Sequence, residues 1–267
     1  MLEVKNLSVH TLKGKMLLDR LSFTVSPGIC TGITGPSGSG KTTLLKAILG
    51  VLPGNAVVNH GEILLDDVDL LQKKAADRRN LCGTDLGFIP QNPMTAFHRY
   101  VAVGVQMTET FHKRLGLSKK DAKQRSIDTL KKVNLSDTDR IYASYPHQLS
   151  GGMLQRVTTA ILIGLNPGYV FADEPTSALD ELNRQYLMEQ LEHLKKNAAI
   201  VFVSHDDQAL KALCDEIIVL QNGSLIEKGE TDAIFSKPIN GWTKEFAALS
   251  NDAKEESWKW NKSSCVI

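Results

Sequence analysis

The stretch Gly35-Pro36-Ser37-Gly38-Ser39-Gly40-Lys41-Thr42 decides the fold, because it matches the pattern G-x-x-x-x-G-K-[ST] in full. An apolar run at residues 29–34 predicts a short buried strand before it, and residues 42–49 have the apolar spacing of a helix. Glycines in such a loop let backbone amides close around phosphate groups, and the helix N-terminus adds partial positive charge. We therefore predict nucleotide binding by residues 35–43, which end at Thr43. Lys41 is expected at the β- and γ-phosphates, and Thr42 offers its hydroxyl to Mg²⁺.

Two adjacent carboxylates follow a second apolar run. Residues 169–172 predict a buried strand, and Asp173 and Glu174 stand at its end. Asp173 is expected to hold the Mg²⁺ shell through water, because this ion keeps several of its water ligands. Glu174 would lie beside the metal without binding it, so we predict that it polarises the attacking water as general base. The alternative for Glu174 is an acidic helix cap before Pro175.

Two further polar residues follow predicted strands. Gln91 comes after residues 87–90, and its amide oxygen is expected to bind Mg²⁺ or the attacking water. His205 comes after residues 199–204, where its imidazole would reach the γ-phosphate. The alternatives are a polar loop residue for Gln91 and a structural histidine for His205.

The order of predicted elements indicates an α/β fold. Alternating patterns at residues 2–9 and 21–25, with an edge strand at 61–65, predict antiparallel strands. Strands that alternate with helices elsewhere predict a parallel sheet. Helix-forming segments interrupt the core, so we expect one domain over residues 1–250, a helical insertion at about 92–160 and a short tail at 251–267.

Composition narrows the possible partners. The 267 residues are 42% hydrophobic, enough for a substantial core. Lys and Arg number 31 against 30 Asp and Glu, so no strong field favours nucleic acid, and none is expected as a partner. No apolar run approaches the ~20 residues that span a bilayer, so a cytoplasmic chain is expected. Scattered cysteines argue against a zinc site, and Cys30 and Cys214 are predicted in the core.

A third motif, Leu-Ser-Gly-Gly-Met-Leu-Gln-Arg at residues 149–156, lies between the phosphate loop and the acidic pair. With it, residues 2–246 resemble the ATP-binding cassette (ABC) transporter family. The resemblance implies a P-loop NTPase (RecA-like) core with a parallel sheet, an antiparallel β subdomain and a helical signature subdomain. In family terms, residues 35–43 resemble Walker A, Gln91 the Q-loop, 149–153 the signature, 169–174 Walker B, 177–180 the D-loop and His205 the switch histidine.

The resemblance also implies a working unit of two ATPases. Two such domains close head to tail over two ATP molecules and open after hydrolysis. The Ser150 hydroxyl and the amides of Gly151 and Gly152 then contact the γ-phosphate of ATP held by the partner subunit. The helical subdomain passes this movement to membrane-spanning proteins.

Departures from the common pattern suggest a subfamily. The usual signature glutamine is Met153, which resembles the nickel and oligopeptide importers, as do residues 91–93 and 145–156. The aromatic residue that stacks on adenine is missing from the first hairpin. His10 or Thr11 falls near its place, so His10 is the candidate for adenine stacking.

The expected function is ATP hydrolysis that energises import, at the cytoplasmic face of the membrane as a peripheral subunit. The expected partners are a second, different ATPase, two transmembrane permeases and a solute-binding protein. A short segment after Phe246 without a cysteine cluster favours nickel or a metal chelate as cargo, with di- or oligopeptides as the alternative. A non-transport cassette ATPase and a P-loop kinase are the remaining alternatives.

Overall fold

The computed structural model describes residues 1–177 and 179–252 of the chain. Most of the expected tail, from residue 253 on, lies outside the described residues. The strands are β1 (Leu2–Thr11), β2 (Met16–Val25), β3 (Cys30–Thr34), β4 (Ala56–Leu65), β5 (Val68–Asp69), β6 (Leu86–Ile89), β7 (Tyr169–Asp173), β8 (Ala199–Val203), β9 (Glu216–Gln221) and β10 (Ser224–Glu230). The helices are α1 (Lys41–Leu49), α2 (Ala75–Leu81), α3 (Val103–Leu115), α4 (Lys119–Lys132), α5 (Thr138–Ala143), α6 (Gly151–Leu165), α7 (Glu181–Lys195), α8 (Asp207–Leu213), α9 (Thr231–Ser236) and α10 (Gly241–Asp252).

The central sheet has the order β10-β9-β3-β8-β7-β6. All its pairings are parallel except β10 with β9. Every residue of β3, β7 and β8 is buried, as expected for apolar strands covered on both faces. The predicted parallel core is confirmed.

A second, antiparallel sheet has the order β2-β1-β4-β5. The predicted strands at residues 2–9, 21–25 and 61–65 all form, and each is longer than its apolar pattern indicated. β2 begins at Met16, well before residue 21, because pairing with β1 continues to the turn.

The two faces of the central sheet pack against different layers. One face, with α1 between the sheets, buries Leu44 and Phe171 together with the inner side of the antiparallel sheet. The other face packs against α7 and α8 and buries Leu187, Phe202 and Leu210. Cys30 and Cys214 meet in this second layer, with 3.6 Å between their sulfurs, which confirms their predicted place in the core.

A third apolar cluster is formed by the four helices α3, α4, α5 and α6, which lie between β6 and β7 in the chain. Phe111 of α3 packs directly against Gly164 of α6, where an added Cβ would lie 2.3 Å from its ring. The predicted helix at residues 120–133 is α4. In the described residues, no helix is both long enough and apolar enough to cross a bilayer.

Candidate active site

The candidate residues converge because parallel strands bring their carboxyl ends to one edge of the sheet. The phosphate loop follows β3, Gln91 follows β6, Glu174 follows β7 and His205 follows β8. One cavity of about 970 Å³ is lined by all of these. Its volume lies in the range of small-molecule sites. The structure thus brings together the phosphate-loop, Gln91, Glu174 and His205 candidates.

The phosphate loop needs glycine where it approaches other backbone. Gly35 has φ +143°, and an added Cβ would lie 1.9 Å from the Leu220 carbonyl oxygen. Gly40 has φ +107°, and its Cβ would meet Leu18 at 2.6 Å. Ser39 is 2% exposed, and its hydroxyl has no hydrogen-bond partner among the described residues. A buried unpaired donor beside the loop amides fits a phosphate ligand.

Lys41 begins α1, and its ammonium lies across the loop. The Nζ donates to the carbonyl oxygens of Gly35 at 2.8 Å and Pro36 at 3.1 Å. Burial lowers the pKa of Lys41, while the charges of Glu174 and Asp173 act in the opposite direction. A half-buried cation facing an open cavity suits an anionic ligand.

Thr42 and Asp173 form the oxygen-rich corner of the site. The Thr42 hydroxyl donates to Asp173 Oδ1 at 3.2 Å, although the two residues are far apart in sequence. Burial raises the pKa of Asp173, and the hydrogen bond from Thr42 lowers it in part. Thr42 and Gln91 both line the cavity, whereas Asp173 is buried behind Thr42 and does not line it. A hydroxyl, an amide oxygen and a carboxylate are donors that suit Mg²⁺.

Glu174 leaves β7 in a left-handed backbone conformation with φ +49°. Its amide donates to the Val203 carbonyl at 2.9 Å, which fixes this turn against β8. Its carboxylate Oε2 is in hydrogen-bond contact with His205 Nδ1. The predicted base and the predicted switch histidine are therefore direct partners.

The Ser-Gly-Gly segment lies elsewhere. Ser150 caps α6, with its hydroxyl accepting from the Met153 amide at 3.2 Å. In the described part of the chain, neither Ser150 nor Gly151 nor Gly152 lines the cavity of the phosphate loop. The structure therefore does not bring this segment to the chain's own phosphate loop.

Sequence reasoning missed Asn183, which has a structural part in the site. Asn183 of α7 accepts from Arg156 Nε of α6 at 3.1 Å and donates to Asp180 Oδ2 at 2.7 Å. Through Asn183, these two hydrogen bonds connect α6, the helix that begins in the signature, to Asp180 of the D-loop. Asp180 also caps α7, and a helix-capping aspartate was the available signal in sequence. Of the D-loop, Ala178 lies outside the described residues.

Sequence reasoning also missed the hairpin residues that line the cavity. Lys15, Met16 and Leu17 line the cavity together with Asn222 and Gly223, and a Cβ on Gly223 would lie 2.7 Å from the Leu17 carbonyl oxygen. His10, the predicted adenine contact, is paired with Met16 across the strands but does not line the described cavity.

Known proteins resemble this chain in sequence and fold. The sequence model described as "ABC transporter" matches residues 18–177. The chain belongs to the ABC transporter family. It is 34% identical over 247 residues to the metal-staphylopine import ATP-binding protein CntD of Staphylococcus aureus (strain Mu50), covering 91% of each chain. It is 37% identical over 250 residues to the dipeptide transport ATP-binding protein DppD of Escherichia coli (strain K12), covering 91% of this chain and 76% of that protein.

Solved structures agree with the fold. A dimeric ATP-binding cassette in a post-hydrolysis state, bound to ADP and phosphate, superposes with a TM-score of 0.77 at 24% identity, over 86% of this chain and 99% of that one. The ATP-binding subunit of an ABC transporter superposes with a TM-score of 0.75 at 26% identity, over 94% and 99%. The predicted α/β cassette fold is confirmed. The chain is an ATP-binding ABC ATPase, which sets aside the P-loop kinase alternative.

Proposed function

We propose that this chain hydrolyses ATP to drive import by a membrane transporter. Residues 1–250 would be the ATPase domain, with residues 92–160 as the helical part that transmits movement. The observation that carries the proposal is the convergence of the phosphate loop, Glu174 and His205 on one cavity of an ABC cassette. Relatives named as import ATPases support the direction of transport.

In this proposal, the phosphate loop binds the triphosphate of ATP. The backbone N–H groups of residues 37–43 and the hydroxyl of Ser39 donate to phosphate oxygens, since Ser39 is buried and its hydroxyl is otherwise unpaired among the described residues. Lys41 exchanges its carbonyl partners for the β- and γ-phosphates. Remaining loop contacts come from Gly35, Pro36, Ser37, Gly38, Gly40, Thr42 and Thr43.

The Mg²⁺ that accompanies ATP would be held by the Thr42 hydroxyl, the Gln91 amide oxygen and Asp173, the last through water. When bound, this ion neutralises charge on the β- and γ-phosphates. Thr42 and Asp173 are already hydrogen-bonded to each other, so the chain itself brings the two ligands together.

Glu174 acts as general base in this site. Its Oε2 accepts a proton from the water that attacks the γ-phosphorus, and the bond from phosphorus to the bridging oxygen of ADP breaks. His205 Nδ1 contacts Oε2 of Glu174, so His205 orients the carboxylate. The His205 ring is exposed and would also reach the γ-phosphate. The positive φ of Glu174 places the carboxylate beside the cavity.

A second ATPase completes the site. Ser150, Gly151 and Gly152 lie outside the cavity of their own chain, which supports donation to ATP bound by a partner. We propose a different ATPase as that partner, two transmembrane permeases on the helical side and a solute-binding protein. The chain would then sit peripherally at the cytoplasmic face of the membrane.

For the cargo, we propose a metal chelate, such as a nickel complex. The support is 34% identity to a metal-staphylopine import ATPase over 91% of both chains. Peptide import is the second candidate, favoured by 37% identity to a dipeptide transport ATPase.

Deletion of the gene and complementation with wild type or Glu174→Gln tests the proposal. Uptake of radioactive nickel, free and chelated, is followed beside growth on di- and oligopeptides. We expect loss of chelate uptake that wild type restores and Glu174→Gln does not. Unchanged nickel uptake with lost peptide growth would select the peptide alternative, and no transport defect would reject the import function.

A further inference from the structure

Two thiols meet in the layer where α7 and α8 pack on the central sheet. Cys30 begins β3, and Cys214 lies between α8 and β9, 184 residues further along the chain. Their sulfurs are 3.6 Å apart, and both cysteines are free. The Cys82 sulfur lies elsewhere and faces the carbonyl oxygens of Leu49 and Arg78. Among the residues that the structure describes, Cys30 and Cys214 are thus the only thiols in contact.

The sequence of β3 makes room for this contact. Residues two apart in a strand point to the same face of the sheet, so Cys30 and Gly32 share one face. A Cβ on Gly32 would lie 2.9 Å from Cys214 Sγ. The Cys214 sulfur therefore occupies the space that a side chain at residue 32 would fill, directly beside Cys30.

Hydrogen bonds hold the backbone on both sides of the two thiols. The Asp215 carboxylate accepts from the Cys30 amide at 2.8 Å, and the Asp215 amide donates to the Cys30 carbonyl oxygen at 2.9 Å. Lys195 pairs with this carboxylate at 2.7 Å, and the Thr231 hydroxyl donates to the Cys214 carbonyl oxygen at 2.7 Å. The S–S bond of a disulfide is about 2.05 Å long, so the sulfurs need to approach by only about 1.5 Å to form one.

The two thiols differ in their access to solvent. Cys30 is fully buried, whereas Cys214 is 7% exposed and lines a cavity of about 480 Å³ that Cys30 does not line. Burial raises the pKa of Cys30, and the hydrogen bond with Cys214 raises it further. A small oxidant therefore meets Cys214 first, and Cys30 is the protected partner.

We propose that Cys30 and Cys214 form an oxidation site at which a hydroperoxide makes a reversible disulfide that joins β3 to the end of α8 and stabilises the fold. The Cys214 sulfur attacks the peroxide, whose O–O bond breaks, and the products are a sulfenic acid and water or an alcohol. The Cys30 sulfur then attacks the Cys214 sulfur, and the S–O bond breaks as the leaving hydroxide takes the Cys30 proton to form water. The two thiols lose two electrons, which the peroxide gains. In a reducing compartment, a dithiol returns both cysteines to thiols and becomes a disulfide itself.

Treatment of the folded full chain with hydrogen peroxide tests this. Free thiols are then blocked with N-ethylmaleimide in denaturant, and the chain is digested at acid pH, where thiol–disulfide exchange is slow. Mass spectrometry should find a peptide pair linked through Cys30 and Cys214, which dithiothreitol separates. Because the bond closes a loop of 184 residues, we expect oxidation to raise the melting temperature by about 5–15 °C and reduction to reverse this rise.

Cys82→Ala is the matched control, since it removes a thiol outside the pair and should keep both the linked peptides and the rise in melting temperature. Cys30→Ala should accumulate sulfenic acid at Cys214, detected with dimedone, whereas Cys214→Ala should leave Cys30 reduced. Oxidised wild type without the linked peptides, a linked form that melts no higher than the reduced form, or sulfenic acid at Cys30 in Cys214→Ala would overturn the proposal. The peptide map and melting temperature of wild type decide the matter even if an alanine variant fails to fold.

Discussion

Glu174 combines a strained backbone with the proposed catalytic carboxylate. A left-handed conformation costs a residue other than glycine about 1–3 kcal/mol, and such strain persists where the surrounding structure enforces it. We predict that Glu174→Gln keeps ATP affinity but lowers turnover by about 10²–10⁴-fold, the usual contribution of a general base. Equilibrium nucleotide binding and steady-state phosphate release, measured on the same preparations, check the two parts separately.

An exposed glutamate of α7 provides the control for this charge change. Glu189→Gln alters the same functional group away from the cavity, so release should stay at the wild-type rate. Near-normal phosphate release by Glu174→Gln would show that the base is another group.

Substitution of Lys41 should weaken nucleotide binding, whereas substitution of Glu174 should slow hydrolysis. Lys41→Ala removes the only lysine that donates to the loop carbonyls among the described residues, and with it the charge facing the phosphates. We predict weaker ATP binding by about 1.5–3 kcal/mol, the usual value of a hydrogen bond to a charged group. Titration with Mg·ATP in the Glu174→Gln background, where hydrolysis is slow, checks it, and an affinity within twofold of that background would contradict the assignment.

At the scale of elements, the contact between α6 and α7 depends on one glycine. A Cβ added to Gly152 would lie 2.6 Å from Asn183 Nδ2, and that side chain is held by Arg156 and Asp180. We predict that Gly152→Ala lowers the free energy of unfolding by about 1–3 kcal/mol through overpacking. Denaturant titration of the isolated chain measures this without any partner.

Gly151→Ala is the matched control, because a Cβ at Gly151 meets no atom within 4 Å in this chain. Its stability should stay within about 1 kcal/mol of wild type or rise, since alanine favours helix. The double variant Gly152→Ala/Asn183→Ala should lose less than the sum of its single changes, because the clash is gone. Equal effects of the two glycine variants would refute the proposed contact.

Part of the site was predictable from the sequence. The phosphate loop, Asp173, Glu174 and His205 were predictable because each stands at the end of an apolar strand, and parallel topology then brings the strand ends together. The position of Met16 at the cavity was not predictable, because β1 and β2 change register between Val9 and His10 and no regular alternation reaches the turn. Contacts between distant residues, such as that of Arg156 with Asn183, leave no local pattern.

For the whole molecule, Glu227 ties the C-terminal helices to the sheet. Its carboxylate on β10 accepts from the amides of Ile239 and Asn240 at 2.8 and 2.9 Å, just before α10. Burial alone would raise the pKa of Glu227, but the hydrogen bonds outweigh it and the pKa is lowered.

A lowered pKa in the folded state means that Glu227 stabilises the fold above its ordinary pKa and loses this contribution as the pH falls through the lowered value. Glu227→Gln should therefore be less stable than wild type at pH 7, and the difference should shrink toward pH 3. Thermal unfolding across this range tests it. A difference that is constant with pH would assign the effect to packing instead of charge.

Within one chain, the signature residues lie apart from the cavity of the phosphate loop. This separation bears on whether the protein works alone or with a second subunit. Ser150, Gly151 and Gly152 do not line the described cavity. If these residues are the proposed donors to the γ-phosphate, a closed site requires a second ATPase to supply them. We predict that the isolated chain hydrolyses ATP slowly and that, since we propose a different ATPase as partner, it stays monomeric in Mg·ATP. Light scattering of the Glu174→Gln form, which would hold a closed pair before hydrolysis, measures the mass. A tight symmetric homodimer with full activity in wild type would show that a second copy of this chain supplies the donors, and that no different subunit is required.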